Sequence, residues 1–310
     1  VYKRQTIMGD FFQACQELSP GSTVLLRVDF NLSRDGQGKW ILNKRLYRML
    51  PVIKQLLAMQ LGVVLVSHLG RPRAGVWEEK YSLSSLCVPL EGLLGKTVTF
   101  LSSWPYQKTY LAAGTVALAE NTRFLHGERE NDPELAKKMV DGVDLVVMEA
   151  FSCSHRQHAS TVGILSCIKN TCLGPEHVLE LGGISKFLET SSPKVAFIGG
   201  KKMSTKLPLL VKLLDSVSKI CFGGGIANTL LHAKGFSLGT SWVEYNCLSE
   251  ARRFCELAEK HDVELILPCD AAVSDDLAGF SKKSFVPIDG VLPHECVVDV
   301  GPKTILLYEK

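Results

Sequence analysis

Arginine and histidine residues in the first half of the chain follow short apolar segments that are typical of buried strands. They are Arg45, His68, Arg71, Arg123 and Arg156, with His155 and His158 beside the last of them. In an open parallel sheet, ligands bind beyond the carboxyl ends of the strands, so we expect these side chains to line one cleft. A guanidinium group can bind a phosphate or a carboxylate through two hydrogen bonds at once. The pattern therefore predicts a small polyanionic ligand.

In the second half of the chain, glycine and lysine residues follow the predicted strands. One segment, residues 199–206, reads Gly-Gly-Lys-Lys-Met-Ser-Thr-Lys, and Gly223–Gly225 forms a second, each followed by a predicted helix. Glycine lets a phosphate approach the backbone, and a helix N-terminus adds free N–H groups and a positive dipole end. The spacing differs from that of a Walker A loop. We therefore predict a glycine-lined binding site for nucleotide phosphates that is not a Walker A loop.

The elements that position these residues follow from the alternation of apolar segments with segments of helical period, which is typical of a parallel sheet covered by helices. The predicted strands are Val24–Phe30, Val63–Ser67, Thr115–Ala119 and Asp144–Ala150 in the first half, and Lys194–Ile198, Lys219–Phe222 and Glu264–Leu267 in the second. We predict an α/β protein with two Rossmann-like lobes, each a parallel β-sheet covered by helices.

The helices have recognisable signals. Apolar residues at helical spacing predict a helix from Leu46 to Leu57, in which Pro51 either makes a kink or lies near the start. Asp132 and Pro133 predict an N-cap and a first helical residue. Another helix is predicted from Ser249.

The strand–helix alternation stops between Ser166 and Pro193. At 310 residues the chain is long for one domain. We predict an N-terminal domain of residues 1–173, a hinge helix within residues 174–192 and a C-terminal domain of residues 193–310.

Composition excludes several classes of protein. A formal charge of +3 does not favour a nucleic-acid partner. No apolar segment reaches the roughly 18 residues that span a bilayer. The ten cysteines include no CxxC pair, so we expect reduced, mostly buried thiols and a cytoplasmic location. The first half has no GxGxxG segment with an acidic residue about 20 positions later, which disfavours a dinucleotide-dependent oxidoreductase.

Seven segments together resemble the phosphoglycerate kinase family and occur in the family's order. They are Arg27–Asn31, Ser67–Pro72, Glu120–Phe124, His155–Ser160, Gly199–Lys206, Gly223–Gly225 and Asp299–Thr304. The resemblance spans nearly the whole chain. It implies a two-lobed, hinge-bending glycolytic kinase that transfers a phosphoryl group between 1,3-bisphosphoglycerate and ADP, giving 3-phosphoglycerate and ATP.

The resemblance also implies roles for individual residues. The triose phosphate would be held by Asp29, Asn31, Arg45, His68, Arg71, Arg123 and Arg156. Arg45 would also face the transferring phosphoryl group, and Lys202 and Lys206 would act with it at the nucleotide phosphates. The nucleotide would lie against Gly200, Gly223, Gly224 and Gly225. The expected cofactor is Mg²⁺ with ATP or ADP, and the expected form is a monomer without nucleic-acid or membrane partners.

The sequence departs from the family pattern at several positions. Met148-Glu149 replaces Asn-Asp, Ser152 replaces Gly, and Thr205 replaces an Asp beside the catalytic lysine. The family's late Gly-Gly-Gly-Asp-Thr loop, which carries the metal-binding aspartate, does not occur before Lys310. We therefore expect a C-terminally truncated chain with an incomplete C-lobe and a metal ligand beyond Lys310. The alternative is a non-catalytic, kinase-like fragment that binds 3-phosphoglycerate.

A zinc site is a further alternative for one of these segments. Cys153, His155 and His158 have a spacing that could bind zinc. We disfavour it because no fourth ligand is near in the sequence and Arg156 would repel a metal ion.

Overall fold

A computed structural model of the chain describes residues 10–276 and 284–309. The chain divides into two compact units, one ending at Ser185 and the other beginning at Lys186. The outer ends of the predicted domains, residues 1–9 and Lys310, lie outside the described residues, and the predicted domain boundaries stay a prediction. Among the described residues, no helix is both long enough and apolar enough to cross a membrane.

The first unit contains a six-stranded sheet in which every pair of neighbouring strands is parallel. Its strands are β1 (Thr23–Arg27), β2 (Gly62–Val66), β3 (Val98–Leu101), β4 (Val116–Ala119), β5 (Leu145–Met148) and β6 (Thr171–Leu173). Their order is β3-β4-β2-β1-β5-β6. The four predicted strands are confirmed, although most of them end earlier than predicted. We did not predict β3 and β6, which form the two edges of the sheet and lack a continuous apolar run.

Helices cover both faces of this sheet. They are α1 (Phe11–Gln16), α2 (Lys44–Ala58), α3 (Cys87–Leu94), α4 (Pro133–Met139) and α5 (Ile164–Cys167). A further helix, α6 (Pro175–Glu189), follows β6 and contains the boundary between the two units. Single helical turns lie at Glu79–Tyr81, Ser84–Leu86, Thr122–Phe124, Phe151–Cys153 and Ala159–Gly163. Pro51 lies inside α2, which begins two residues before the predicted Leu46 because Asn43 caps it through the Arg45 N–H (3.0 Å).

Side chains of the central strand alternate between two apolar cores. Leu26 packs with Leu46 and Ile53 on one face of the sheet, whereas Leu25 packs with Met139 on the other. Every residue of β1 is buried, as expected for a parallel strand covered on both faces. With both faces occupied, the polar residues of this unit are placed at the ends of the strands.

The second unit contains two smaller sheets. The parallel sheet has the order β7-β8-β9, formed by β7 (Val195–Ile198), β8 (Lys219–Phe222) and β9 (Glu264–Ile266). The antiparallel sheet has the order β11-β10-β12, formed by β10 (Asp270–Ser274), β11 (Ser284–Pro287) and β12 (Cys296–Val300). The helices are α7 (Leu207–Leu213), α8 (Gly224–Ala233), α9 (Leu248–Lys260) and α10 (Pro302–Tyr308), with single turns at Tyr245–Cys247 and Ile288–Gly290.

The predicted parallel sheet of this unit is therefore confirmed, and the antiparallel sheet is an addition to it. We did not predict its strands because their mixed sequences, such as Asp270-Ala-Ala-Val-Ser274, lack both a long apolar run and a strict alternation.

The helix that follows β6 begins on a buried carboxylate. Glu149 accepts hydrogen bonds from the backbone N–H groups of Glu176 (3.1 Å) and His177 (3.2 Å), in the first turn of α6. A Cβ atom on Gly174 would lie 2.0 Å from Glu149 Oε2, so a larger residue there would displace the carboxylate. Burial raises the pKa of Glu149 to about 7, although both N–H groups oppose this shift. One departure from the family pattern is thus an anchor for α6.

This arrangement predicts a pH-dependent stability. The pKa of Glu149 is about 7 in the folded chain and 4.5 for an exposed glutamate, so the folded chain binds more protons between these values. The free energy of unfolding therefore falls as the pH rises through this window. Glu149→Gln cannot titrate. In urea unfolding, we therefore expect its free energy of unfolding to rise relative to that of the wild type, by about 2 kcal/mol between about pH 5 and about pH 8. Glu134→Gln, at an exposed carboxylate of α4, is the control. A parallel pH dependence in wild type and Glu149→Gln would contradict the assignment.

Candidate active site

The residues after β1 hold three of the predicted ligands together. Asp29 Oδ2 accepts a hydrogen bond from Arg45 Nη1 (3.1 Å), and Asp29 Oδ1 accepts one from the Asn31 N–H (3.1 Å). Asn31 Oδ1 accepts the N–H of Gly70, in the loop after β2 (2.9 Å). The Asn43 cap fixes the first turn of α2 and thereby places Arg45 beside Asp29.

His68 lies at the centre of the next group of contacts, directly after β2, and is buried. Its Nε2 is 3.1 Å from Arg156 Nη1, and its Nδ1 is 3.4 Å from Arg27 Nη2. Burial, and then the charge of Arg27, lower the pKa of His68 to about 3. The ring is therefore neutral at neutral pH and adds no charge to the site.

Arg27 is the last residue of β1, and only 1% of its surface is exposed. Its Nε donates to Ser160 Oγ (3.2 Å), and its Nη1 donates to the carbonyl oxygens of Val28 and, more weakly, Val66 (3.4 Å). Arg27 belongs to one of the family-like segments but not to the predicted ligands. An arginine that ends an otherwise apolar strand is the signal that could have found it.

Arg123 lies in the turn after β4, which Asn121 caps through the Arg123 N–H (3.0 Å). The residue is 8% exposed, and its Nε has no acceptor among the described residues. Burial lowers the pKa of Arg123, and the charges of Arg129 and Arg156 lower it further. A buried cation without a partner is costly. This position therefore favours a bound anion.

Glu128 supplies negative charge beneath these arginines. It is fully buried, and its two carboxylate oxygens accept from Ser160 Oγ (2.6 Å) and the Ser160 N–H (3.0 Å). His158 Nδ1 lies 4.0 Å from the same carboxylate. Burial lowers the pKa of His158, as do Arg123 and Arg156. Glu128 is not among the predicted residues, because no sequence pattern marks a charged loop residue as buried.

The structure thus brings six predicted ligands into contact with one another or with the same cluster: Asp29, Asn31, Arg45, His68, Arg123 and Arg156. Arg71 follows Gly70 directly but is exposed, and it makes no hydrogen bond or ion pair within the described part of the chain. His155 is likewise exposed.

In the second unit, the two glycine segments pack backbone against backbone. The Gly200 carbonyl accepts the Ile226 N–H (3.0 Å), and a Cβ atom on Gly225 would lie 2.5 Å from the Lys201 carbonyl oxygen. Gly200 has φ +133° and Gly224 has φ +63°, conformations that favour glycine. Helix α8 begins at Gly224, so its free N–H groups lie beside this contact.

Two lysines flank the glycines. Lys206 is the N-cap of α7 and is half-buried. Its side chain lies close to Gly200, since a Cβ atom on that glycine would be 3.0 Å from Lys206 Cε. The chain forms a turn up to Lys206, and helical geometry begins at Leu207. Lys202 is exposed, and its carbonyl accepts from Thr205 Oγ1 (3.1 Å). Thr205 therefore stabilises the turn between the two lysines.

A cavity of about 490 Å³ adjoins the glycine segments. Apolar residues supply much of its lining, among them Ala227, Leu231, Pro268 and Ile288. Trp242 forms part of the wall and donates from Nε1 to the Lys201 carbonyl (3.0 Å). Lys201 Nζ lies 4.1 Å from the centre of the Trp242 ring, a cation–π contact. Trp242 is not among the predicted residues, because it lies outside every motif. The cavity has the size and lining of a small-molecule site.

The potential metal ligands among the described residues do not suit the expected magnesium ion. Within residues 10–276 and 284–309, the one group of three potential ligands is Asp29, His68 and Cys153. Mg²⁺ takes oxygen ligands, so this imidazole and thiol do not fit it. The group includes neither His155 nor His158, and the zinc alternative from the sequence is not supported.

The chain matches a known family over nearly all of its length. The family model described as phosphoglycerate kinase matches residues 17–310. The chain belongs to the phosphoglycerate kinase family. The family consists of kinases, which use nucleotide substrates.

Individual relatives agree with this membership. The phosphoglycerate kinase of Coxiella burnetii is 40% identical over 288 residues, which cover 93% of this chain and 73% of that protein. The phosphoglycerate kinase of Desulfovibrio desulfuricans is 41% identical over 291 residues, covering 94% and 74%. The family and these relatives indicate phosphoglycerate kinase function and do not favour the non-catalytic alternative.

Solved structures of the family share the fold. The Coxiella burnetii phosphoglycerate kinase has a TM-score of 0.77 at 39% identity, over 94% of this chain and 75% of that chain. The Pyrococcus horikoshii OT3 phosphoglycerate kinase has a TM-score of 0.81 at 26% identity, over 94% and 76%.

The Arg123 Nε, which has no acceptor among the described residues, predicts anion-dependent stability. A ligand that binds only the folded state stabilises it, so sulfate should raise the urea midpoint of the wild type. Arg123→Gln should lose most of this increase because it removes the buried charge. Lys54→Gln, at an exposed cation of α2, controls for the general effect of sulfate on protein surfaces. An equal response of Arg123→Gln and Lys54→Gln would exclude an anion at Arg123.

Proposed function

We propose that this kinase binds 3-phosphoglycerate on the first unit and ATP or ADP on the second. The acid ligands are Asp29, Asn31, Arg45, His68, Arg71, Arg123 and Arg156. The nucleotide ligands are Gly200, Lys202, Lys206, Gly223, Gly224 and Gly225. The observation that carries the proposal is the buried Arg123 guanidinium, whose Nε lacks an acceptor among the described residues.

The acid suits the cluster because it carries a phosphate and a carboxylate on a short carbon frame. Arg156 uses one nitrogen on His68 and keeps its other N–H groups for a ligand. Arg123 offers a buried cation, and exposed Arg71 is free to close on an anion. Neutral His68 orients Arg156 without adding charge, so the arginines supply most of the attraction.

The proposed reaction needs no general base. In the direction of ATP use, the bond between the γ-phosphorus and the β-phosphate oxygen breaks, and a bond from a carboxylate oxygen of the acid to that phosphorus forms. The carboxylate is already deprotonated at neutral pH, so no proton moves. Phosphoryl transfer depends on positioning and on cations around the transferring group. We assign those cations to Arg45, Lys202 and Lys206 as catalytic residues.

Three further features complete the proposal. We expect Mg²⁺ to arrive with the nucleotide and to neutralise phosphate charge, although no described residue is assigned as its ligand. We retain residues 1–173, 174–192 and 193–310 as N-terminal domain, hinge and C-terminal domain. We also expect a cytoplasmic monomer whose partners are these small molecules.

Substitution of the catalytic cations tests the reaction. Arg45→Ala and Lys206→Ala should each lower kcat/KM by about 100-fold or more, the scale expected when a charge partner of the transition state is lost. Turnover would be followed as ATP consumption with 3-phosphoglycerate. The exposed neighbours Lys44→Ala and Lys212→Ala are matched controls and should stay near the wild-type rate. Unchanged rates in both test variants would defeat the assignment.

Binding tests the two sites separately. In calorimetric titrations the wild type should bind both 3-phosphoglycerate and ATP, since each site is built within one unit. Arg123→Gln should lose the acid and keep the nucleotide. Acid binding without nucleotide binding in the wild type would instead support the non-catalytic reading, and the absence of both would reject the proposal.

A further inference from the structure

Two residues without an assigned role connect separate parts of the acid site. Ser152 Oγ donates to Asp29 Oδ2 (2.5 Å), and Cys153 Sγ lies 3.8 Å from His68 Nδ1. The two side chains are themselves 3.6 Å apart. Both residues belong to the single turn Phe151–Cys153, which follows β5. This turn therefore contacts Asp29 and His68 at once.

The contact at Asp29 concerns the orientation of its carboxylate. The terminal torsion of aspartate is broad, so donors must hold the group in place. The Asn31 N–H bonds Oδ1 (3.1 Å), while Ser152 and Arg45 both bond Oδ2. Ser152 thus contacts the same oxygen as Arg45, whose side chain is 54% exposed and free to adopt other rotamers. Without the hydroxyl, the exposed Arg45 remains the only side-chain donor to Oδ2 among the described residues.

The contact at His68 concerns the position of the ring proton. A neutral imidazole has one N–H group and one acceptor nitrogen. Arginine only donates, and Arg156 Nη1 is 3.1 Å from Nε2, so Nε2 is the acceptor and Nδ1 carries the proton. Cys153 Sγ is then a weak acceptor for the Nδ1–H group. The longer approach of Arg27 to Nδ1, at 3.4 Å, is a contact rather than a hydrogen bond in this tautomer.

We propose that Ser152 and Cys153 are positioning residues of the acid site. Ser152 holds Asp29 against Arg45, and Cys153 holds His68 in the tautomer that accepts from Arg156. The inference rests on the proposed function, because Asp29 and His68 are assigned to the acid there. Glycine, the residue typical of the family pattern at position 152, cannot form the first of these contacts. The acid affinity of this chain therefore depends on a hydroxyl group that the family pattern lacks.

Ser152→Ala is the direct test because it removes one oxygen atom. We expect the KM and the calorimetric Kd for 3-phosphoglycerate to rise about tenfold, the lower range for losing a hydrogen bond to a charged group. The KM for ATP and kcat should stay within about twofold, since the change affects ground and transition states alike. Ser152→Thr keeps a hydroxyl and should recover most of the affinity. Ser154→Ala is the matched control, because this hydroxyl of the same turn donates to the Phe151 carbonyl (2.8 Å) instead.

A double-mutant cycle separates positioning from a general effect on the turn. In an Asp29→Ala background, which leaves no side-chain oxygen to accept the hydroxyl, Ser152→Ala should have little further effect on acid affinity. The same tenfold loss in both backgrounds would overturn the role of Ser152, as would wild-type affinity in the single variant.

The role of Cys153 has its own measurement. In ¹⁵N-histidine NMR of the whole chain, the His68 proton should lie on Nδ1 in the wild type and should redistribute to Nε2 in Cys153→Ala. A proton on Nε2 in the wild type, or an unchanged tautomer in Cys153→Ala, would overturn this role.

The outcomes also separate this inference from the proposed function. If the wild type and Ser152→Ala bind 3-phosphoglycerate equally well, the inference about Ser152 is overturned and the proposed function is not. Wild-type chain that binds no acid overturns both.

Discussion

The cationic site depends on burying several guanidinium groups close together. Arg27, Arg123 and Arg156 surround neutral His68, and Glu128 offsets only part of their charge. Burying an ion is expensive unless it is paired and hydrogen-bonded. Arg27 meets this requirement through Ser160 and two backbone carbonyls, whereas Arg123 does not. The site therefore keeps a positive charge that an anionic substrate can neutralise.

The surrounding fold supplies the rigidity that such a cluster needs. The central strands of the first sheet are buried on both faces, so their ends cannot shift without disturbing two apolar cores. Short caps then set the direction of the functional side chains, with Asn43 before Arg45 and Asn121 before Arg123. The second unit uses a different device, since its glycines allow two backbone segments to approach each other and leave N–H groups for phosphate.

Much of this could be predicted from the sequence because doubly covered strands read as apolar runs with polar residues at their ends. Edge strands β3 and β6 and the antiparallel strands β10–β12 have mixed patterns and were missed. The ligands named from motifs are mostly together, but Arg27, Glu128 and Trp242 were not found. Burial of a charged side chain depends on distant contacts, which no local pattern encodes. The sequence marked Ser152 as a departure, but only coordinates give it a partner in Asp29.

The most direct test of the central claim is a crystal structure of the chain with 3-phosphoglycerate. The account predicts a phosphate or carboxylate oxygen of the acid at hydrogen-bond distance, about 3 Å, from the Arg123 guanidinium. Arg156 should contact the same ligand while still bonded to His68. An acid bound elsewhere on the chain, with Arg123 still lacking a partner at saturating ligand, would contradict the account.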